Sequence, residues 1–186
     1  MNRLRNYSKN MIAKARGFLA GVRLRMFGCR VGRGLKCSSF PRYRVIPKGN
    51  IRIGARVNMG YNLMLEAAPG GRIIIGDRVD LSQDVLISSA CSVEIGNFVL
   101  IGERVSIRDA DHGTSREKEI MHQASDSAPI RIEDDVWIGA NSVILKGCIL
   151  QKGSVIGANS TLIAGTVTEP YGIYAGSPAR LVGRRQ

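Results

Sequence analysis

Acidic residues are missing from the first third of this chain. The first is Glu66, and residues 1–65 hold 15 Lys and Arg with no Asp or Glu. The remainder holds 12 basic and 15 acidic residues, so the net charge of +12 belongs entirely to the front end. Such asymmetry points to an anionic partner surface, membrane or nucleic acid. Long apolar runs are also missing. No stretch of about 18 apolar residues occurs, so no membrane-spanning helix is expected. The N-terminus lacks a continuous apolar segment and a small-residue cleavage site, which argues against secretion. The four cysteines, Cys29, Cys37, Cys91 and Cys148, form no CxxC pair, and neither histidine has a nearby Cys. No metal site is expected, and reduced thiols in a cytoplasm are the simplest reading.

What the chain does have is a period of six. From Ile132 it reads IEDDVW-IGANSV-ILKGCI-LQKGSV-IGANST-LIAGTV. An aliphatic residue opens each hexad, at Ile132, Ile138, Ile144, Leu150, Ile156 and Leu162. Four residues later comes a small or β-branched one: Val136, Ser142, Cys148, Ser154, Ser160 or Thr166. Upstream the rhythm runs in blocks of three hexads, opening at Ile53, Met59 and Leu65, then Ile75, Leu81 and Ile87, then Ile95, Ile101 and Ile107. A helix repeats at 3.6 and does not fit. Three short strands with corners make one triangular coil, and coils gain stability from stacked neighbours. Gly54, Gly60, Gly76, Gly96, Gly102, Gly139 and Gly157 follow the aliphatic residue, where a side chain would clash or φ must be unusual.

The rhythm stops in IRDADHGTSREKEIMHQASDSAPI, from Ile107 to Ile130, and both histidines, His112 and His122, lie in the gap. The sequence therefore divides into a basic helical segment at 1–28, a β-helix at 29–168 with an inserted loop at 109–131, and a closing segment at 169–186. In the first segment Leu4, Met11, Ile12, Ala15, Phe18, Leu19, Val22 and Met26 recur at three- and four-residue steps, as on an amphipathic helix. Two compatible readings follow: this face caps the first coil, or residues 1–27 lie on an anionic membrane. Few aromatic residues and no recognised motif accompany the basic charge, so nucleic acid is not expected as a partner. In the closing segment Arg180, Arg184 and Arg185 group together, either solvated or facing phosphates.

The hexads, DADHG at the break, APIRIEDDVWIGANSVILKG after it and AGSPARLV at the end resemble the hexapeptide-repeat acyltransferases. The similarity covers residues 51–182 and is nearest to sugar and lipopolysaccharide O-acetyltransferases of the galactoside and maltose acetyltransferase type. It implies an all-β fold, a left-handed parallel β-helix, a homotrimer and sites between subunits. It implies acetyl-CoA as co-substrate and a saccharide hydroxyl as acceptor, in cell-surface polysaccharide or lipopolysaccharide biosynthesis. The family's histidine at the start of the long loop matches His112. Relatives often read Asp-His-Asn-His-Gly where this chain reads Asp109-Ala110-Asp111-His112-Gly113, keeping the second histidine only.

Imidazole suits the removal of a hydroxyl proton at neutral pH. Its other ring nitrogen needs an orienting partner, for which Asp109 and Asp111 are candidates, Asp109 preferred. Repeat alignment places Ser82 or Asp84 where the family holds its acceptor with an Asn, and Asp111 adjoins the same site. Ala140 and Ala158 match the small corners along which CoA lies, and Arg180 matches a cation near its phosphates. Trp137 lines the site or packs. No nucleophile motif is present, so direct attack without an acyl-enzyme is expected. A lipid-linked acceptor would suit the basic front end at the inner face of the membrane. Transfer to a sugar amine and a non-catalytic solenoid are the alternatives. A γ-class carbonic anhydrase is rejected, because His112 and His122 do not supply its three zinc ligands.

Overall fold

A computed structural model describes the backbone of residues 2–186 and the side chains from Ser8 onward. A helix, α1 (Asn2–Met26), precedes a solenoid of about seven coils. The solenoid has three parallel faces. The first stacks Arg30–Val31, Ile51–Ile53, Arg72–Ile75, Ser92–Ile95, Ile130–Ile132 and Ile149–Leu150. The second runs from Lys36–Cys37 to Gly172–Gly176, and the third from Met64–Ala67 to Thr161–Leu162.

The hexad openers form the core. Ile53, Ile75, Ile95, Ile132 and Leu150 stand in one column. Met59, Leu81, Ile101, Ile138 and Ile156 form the second, and Leu65, Ile87, Ile107, Ile144 and Leu162 the third. All are buried. Each contributes about 1.5–3 kcal/mol by leaving water. The periodicity also reaches one coil further back than Ile53. Val31 lies under Ile53 and Cys37 under Met59.

The corners separate two roles that the sequence merges. A Cβ on Gly102 would lie 2.7 Å from the Ala140 nitrogen, and one on Gly139 would lie 2.5 Å from the Ala158 nitrogen. These glycines are there for close approach between coils. The left-handed backbone falls two residues later, at Arg104 and Asn141, and likewise at Asp84 and Asn159. Ordinary side chains accept that conformation here at a cost of order 1–3 kcal/mol each, which the stacked coils offset.

Helix α1 packs the other way round from the expected cap. Among the described residues of the helix, Gly17, Ala20, Gly21 and Leu24 are buried. Gly17 sits so close to the Leu35 carbonyl that a Cβ would fall 2.1 Å from it. The predicted apolar face (Met11, Ile12, Ala15, Phe18, Leu19, Val22 and Met26) is exposed; the Leu4 side chain lies outside the described residues. Small residues win because they let the helix axis approach the first coil. At the far end, Gly172–Gly176 and Ala179–Arg184 form an antiparallel hairpin on the second face. There Arg184 pairs with Glu169, and Arg185 lies 2.9 Å from Asp135. Neither is merely solvated.

Candidate active site

The inserted loop leaves the fourth coil as a strand. Ala110–His112 pairs antiparallel with Ser125–Ser127, setting Asp111 opposite Asp126 and His112 opposite Ser125. Strand alternation then sends Asp111 and His112 to opposite faces. Lys146, at the corner of the coil above, reaches Asp126 at 2.7 Å and Asp111 at 3.3 Å. The hydrogen bond to Asp126 is the main cause of the upward shift of the Lys146 pKa. Asp111 is therefore held toward Lys146. At the loop's tip the Gln123 amide ties three backbone groups, of Ser115 and Lys118.

Asp109 has partners other than His112. Its carboxylate is buried and accepts from the Ser89 hydroxyl at 2.8 Å and from the Ala90 and Cys91 N–H groups at 2.6 and 2.9 Å. Its carbonyl accepts from Ala128 N–H, which closes the base of the loop. Sequence reasoning favoured it as the orienter of His112; in this chain it instead fixes where the loop departs. The reason is burial: a carboxylate with nearly no contact with water must be met by donors at hand. His112 itself is exposed, and among the described residues nothing hydrogen-bonds to its ring. His122 lies 3.4 Å from Glu119, whose own pKa is lowered chiefly by a backbone hydrogen bond and then by this contact.

A groove of about 520 Å³ runs along a different edge, at the corner after the second face. Ser82, Ala140 and Ala158 all line it, so three of the predicted site residues come together. Asp84 does not; it forms the left-handed corner and accepts from the Asn62 amide at 3.1 Å. Asp80, Leu100 and Trp137 form the groove's outer column, in register on successive coils. Each immediately precedes an inward residue of a second hexad, so the repeat itself marks Asp80 and Leu100. The floor is Gly102, Gly139 and Gly157 with the two alanines, which leaves room for a slender chain close to the backbone, and Asp80 and Glu103 stand at its walls. The groove's lining contains no Lys or Arg. Arg180 stands beyond it, across from Ala175 in the terminal hairpin, whose Cβ position faces Gly157. Neither His112 nor Arg180 lines the groove, so one chain does not assemble all the predicted residues into one site.

A model of the bacterial transferase hexapeptide (six repeats) matches residues 129–164. The chain is 32% identical, over 92% of its own length and 91% of the relative's, to WbbJ of Escherichia coli (strain K12), provisionally named a lipopolysaccharide biosynthesis O-acetyl transferase. It is 30% identical to a probable acetyltransferase of Mycobacterium tuberculosis, covering 84% of this chain and half of that one. Among solved structures, a point mutant of AntD, an N-acyltransferase from Bacillus cereus in complex with dTDP-4-amino-4,6-dideoxyglucose and coenzyme A, superposes with a TM-score of 0.74 at 20% identity, covering 88% of this chain and 87% of that one. The fold is thus shared with AntD. With the stacked hexads, the inserted loop and an end-to-end relative in hand, the chain belongs to the hexapeptide-repeat acyltransferases.

Proposed function

We propose that the protein is an O-acetyltransferase that moves an acetyl group from acetyl-CoA to a saccharide hydroxyl in the biosynthesis of a cell-surface polysaccharide or lipopolysaccharide. The observation that carries this reading is the likeness to WbbJ over nearly the whole of both chains. The geometry supports the donor half: a narrow groove with a glycine and alanine floor receives the pantetheine arm along Ala140 and Ala158. Arg180, beyond its end, meets the CoA phosphates.

His112 is the general base. It takes the proton as the acceptor oxygen attacks the thioester carbonyl, and returns it to the departing sulfur when the carbon–sulfur bond breaks. Its unpartnered ring is available for that exchange. Asp109 acts as a positioning residue, fixing the strand that carries His112. Ser82 holds the acceptor, with Asp84 and Asp111 further from it. Because His112 and the groove occupy different edges, a homotrimer is the assembly that unites them: the loop of one chain closes over the groove of its neighbour. Exposed Ile120 and Met121 on the loop support that reach. The acceptor is lipid-linked, and residues 1–27 make peripheral contact at the cytoplasmic side of the membrane.

The test is an acceptor screen with labelled acetyl-CoA, scoring ester against amide products. Alkali-labile label on a saccharide supports the proposal. Label retained only as amide on an amino sugar moves the protein to the N-acyl branch that AntD represents. No transfer to any saccharide from a folded assembly overturns the enzymatic reading.

A further inference from the structure

Among the described residues, the outward side of α1 is exposed. At about 100° per residue, the exposed residues Met11, Phe18, Val22, Ala15, Met26, Leu19 and Ile12 fall on one continuous stripe about 120° wide, roughly opposite the packed side. Phe18 is 68% and Met26 81% exposed. Cations border the stripe on both sides: Lys9, Arg16 and Arg23 on one, Lys14 and Arg25 on the other. Among the described residues no helix is long and apolar enough to cross a membrane.

Under the second border lies a cleft of about 650 Å³ between α1 and the first two coils. Lys14, Arg25, Arg33, Lys36 and Arg56 line it, with Phe18 as part of its apolar wall. Among the described residues none of these five cations has an ion-pair partner. Asp77 and Asp80 of the next coil accept instead from the Ala55 N–H and the Asn58 amide. Five like charges around a concave space repel one another, and an anion entering it relieves that repulsion. Phe18 belongs both to the stripe and to the cleft wall. A ligand filling both is negatively charged at one end and apolar at the other.

We propose that this face docks the protein on an anionic phospholipid surface, with the stripe lying among the upper acyl chains and the cleft seating a headgroup phosphate. The inference deepens the peripheral contact proposed above and rests on it. Charge complementarity selects this occupant over a second copy of the chain, whose matching face would carry the same positive charge.

The experiment is co-flotation of the full protein with phosphatidylcholine vesicles, with and without phosphatidylglycerol. Two variants accompany it, Met11→Ser/Phe18→Ser/Val22→Ser for the stripe and Arg33→Gln/Lys36→Gln/Arg56→Gln for the cleft. Circular dichroism and acetyl transfer to a soluble acceptor verify that both are folded. The wild type is expected to float at least about tenfold better with the anionic vesicles, and each variant to lose most of that gain. Wild-type flotation left unchanged in both variants overturns the docking face while leaving the membrane contact standing. No wild-type flotation overturns both. Displacement by millimolar inorganic phosphate without any lipid preference assigns the cleft to free phosphate and overturns the lipid proposal. A stripe variant that changes oligomeric state assigns the stripe to a second copy and overturns it too.

Discussion

Lys146 Nζ lies 2.7 Å from Asp126 Oδ2, joining the corner of one coil to the returning strand of the loop inserted from the coil below. The same ammonium reaches Asp111, so one cation holds both strands of the hairpin whose other face carries His112. Lys146→Met is expected to loosen the hairpin without unfolding the solenoid. Trypsin cleavage at the exposed Arg116 and Lys118 should then speed up, because cleavage follows local opening of the loop. Unchanged cleavage would show that the clamp holds nothing in place.

His112→Ala is expected to lower kcat by about 10²–10⁴-fold, the usual contribution of a general base. The KM for acetyl-CoA should change little, because the groove floor at Ala140 and Ala158, not the imidazole, holds the donor. Steady-state kinetics on a variant with the wild-type sedimentation profile checks both.

Asp109→Ala removes the acceptor of the Ala90 and Cys91 N–H groups, while the Ser89 hydroxyl keeps the Arg72 carbonyl. A loss of about 1–3 kcal/mol is expected, read as a lower urea midpoint. Asp109→Asn should recover part of the midpoint. If Asp109 acted by direct contact with His112, kcat would collapse in Asp109→Asn at full stability; a positioning role moves stability and kcat together.

Ala158→Phe fills the groove floor. The KM for acetyl-CoA should rise about tenfold or more while the melting temperature holds, since this side chain is exposed. Titration of CoA by calorimetry reads the loss directly. Unaltered affinity would place the donor elsewhere.

Burial pushes the Cys37 thiol from 9.0 to about 12; burial raises Cys148 as well. An acid whose pKa is raised by folding contributes its stability below the unfolded value, and that contribution is lost as pH rises toward the folded value. Stability should therefore fall between pH 9 and about 12. The slope is about 1.4 kcal/mol per pH unit for Cys37 alone. Cys37→Val, which places the residue of the equivalent position Val31 there, should flatten this part of the profile. Urea midpoints across the range are the measurement.

The solenoid was readable because burial of one residue in six leaves a direct trace in composition. The columns from Ile53 to Leu150 and their two counterparts follow from that alone. Val31 and Cys37 were harder to read because Cys37 and Tyr43 stand in the first coil where aliphatic residues stand elsewhere. The orientation of α1 was legible only in reverse. Its apolar residues suggested the packed side, whereas Gly17 and Gly21, which seemed to weaken the helix, make the contact. Hydrophobicity reports what avoids water, not which partner it meets. Within the loop, His112 stood out by residue type. Lys146 did not, because its partners Asp111 and Asp126 are far away in sequence and meet only through the stacking register. Asp109 was legible as important and misread in its partner, since burial cannot be seen in a string of letters.

A parallel coil ends in an open rung, and an open rung is a template for another chain. Here α1 lies across the first rung, and the last reverses direction into the antiparallel strand Ala179–Arg184, edged with arginine. Uncapped, the rungs at both ends would present unpaired backbone groups to other chains. The helix at one end and the hairpin at the other thus blunt edges at which a second copy could add.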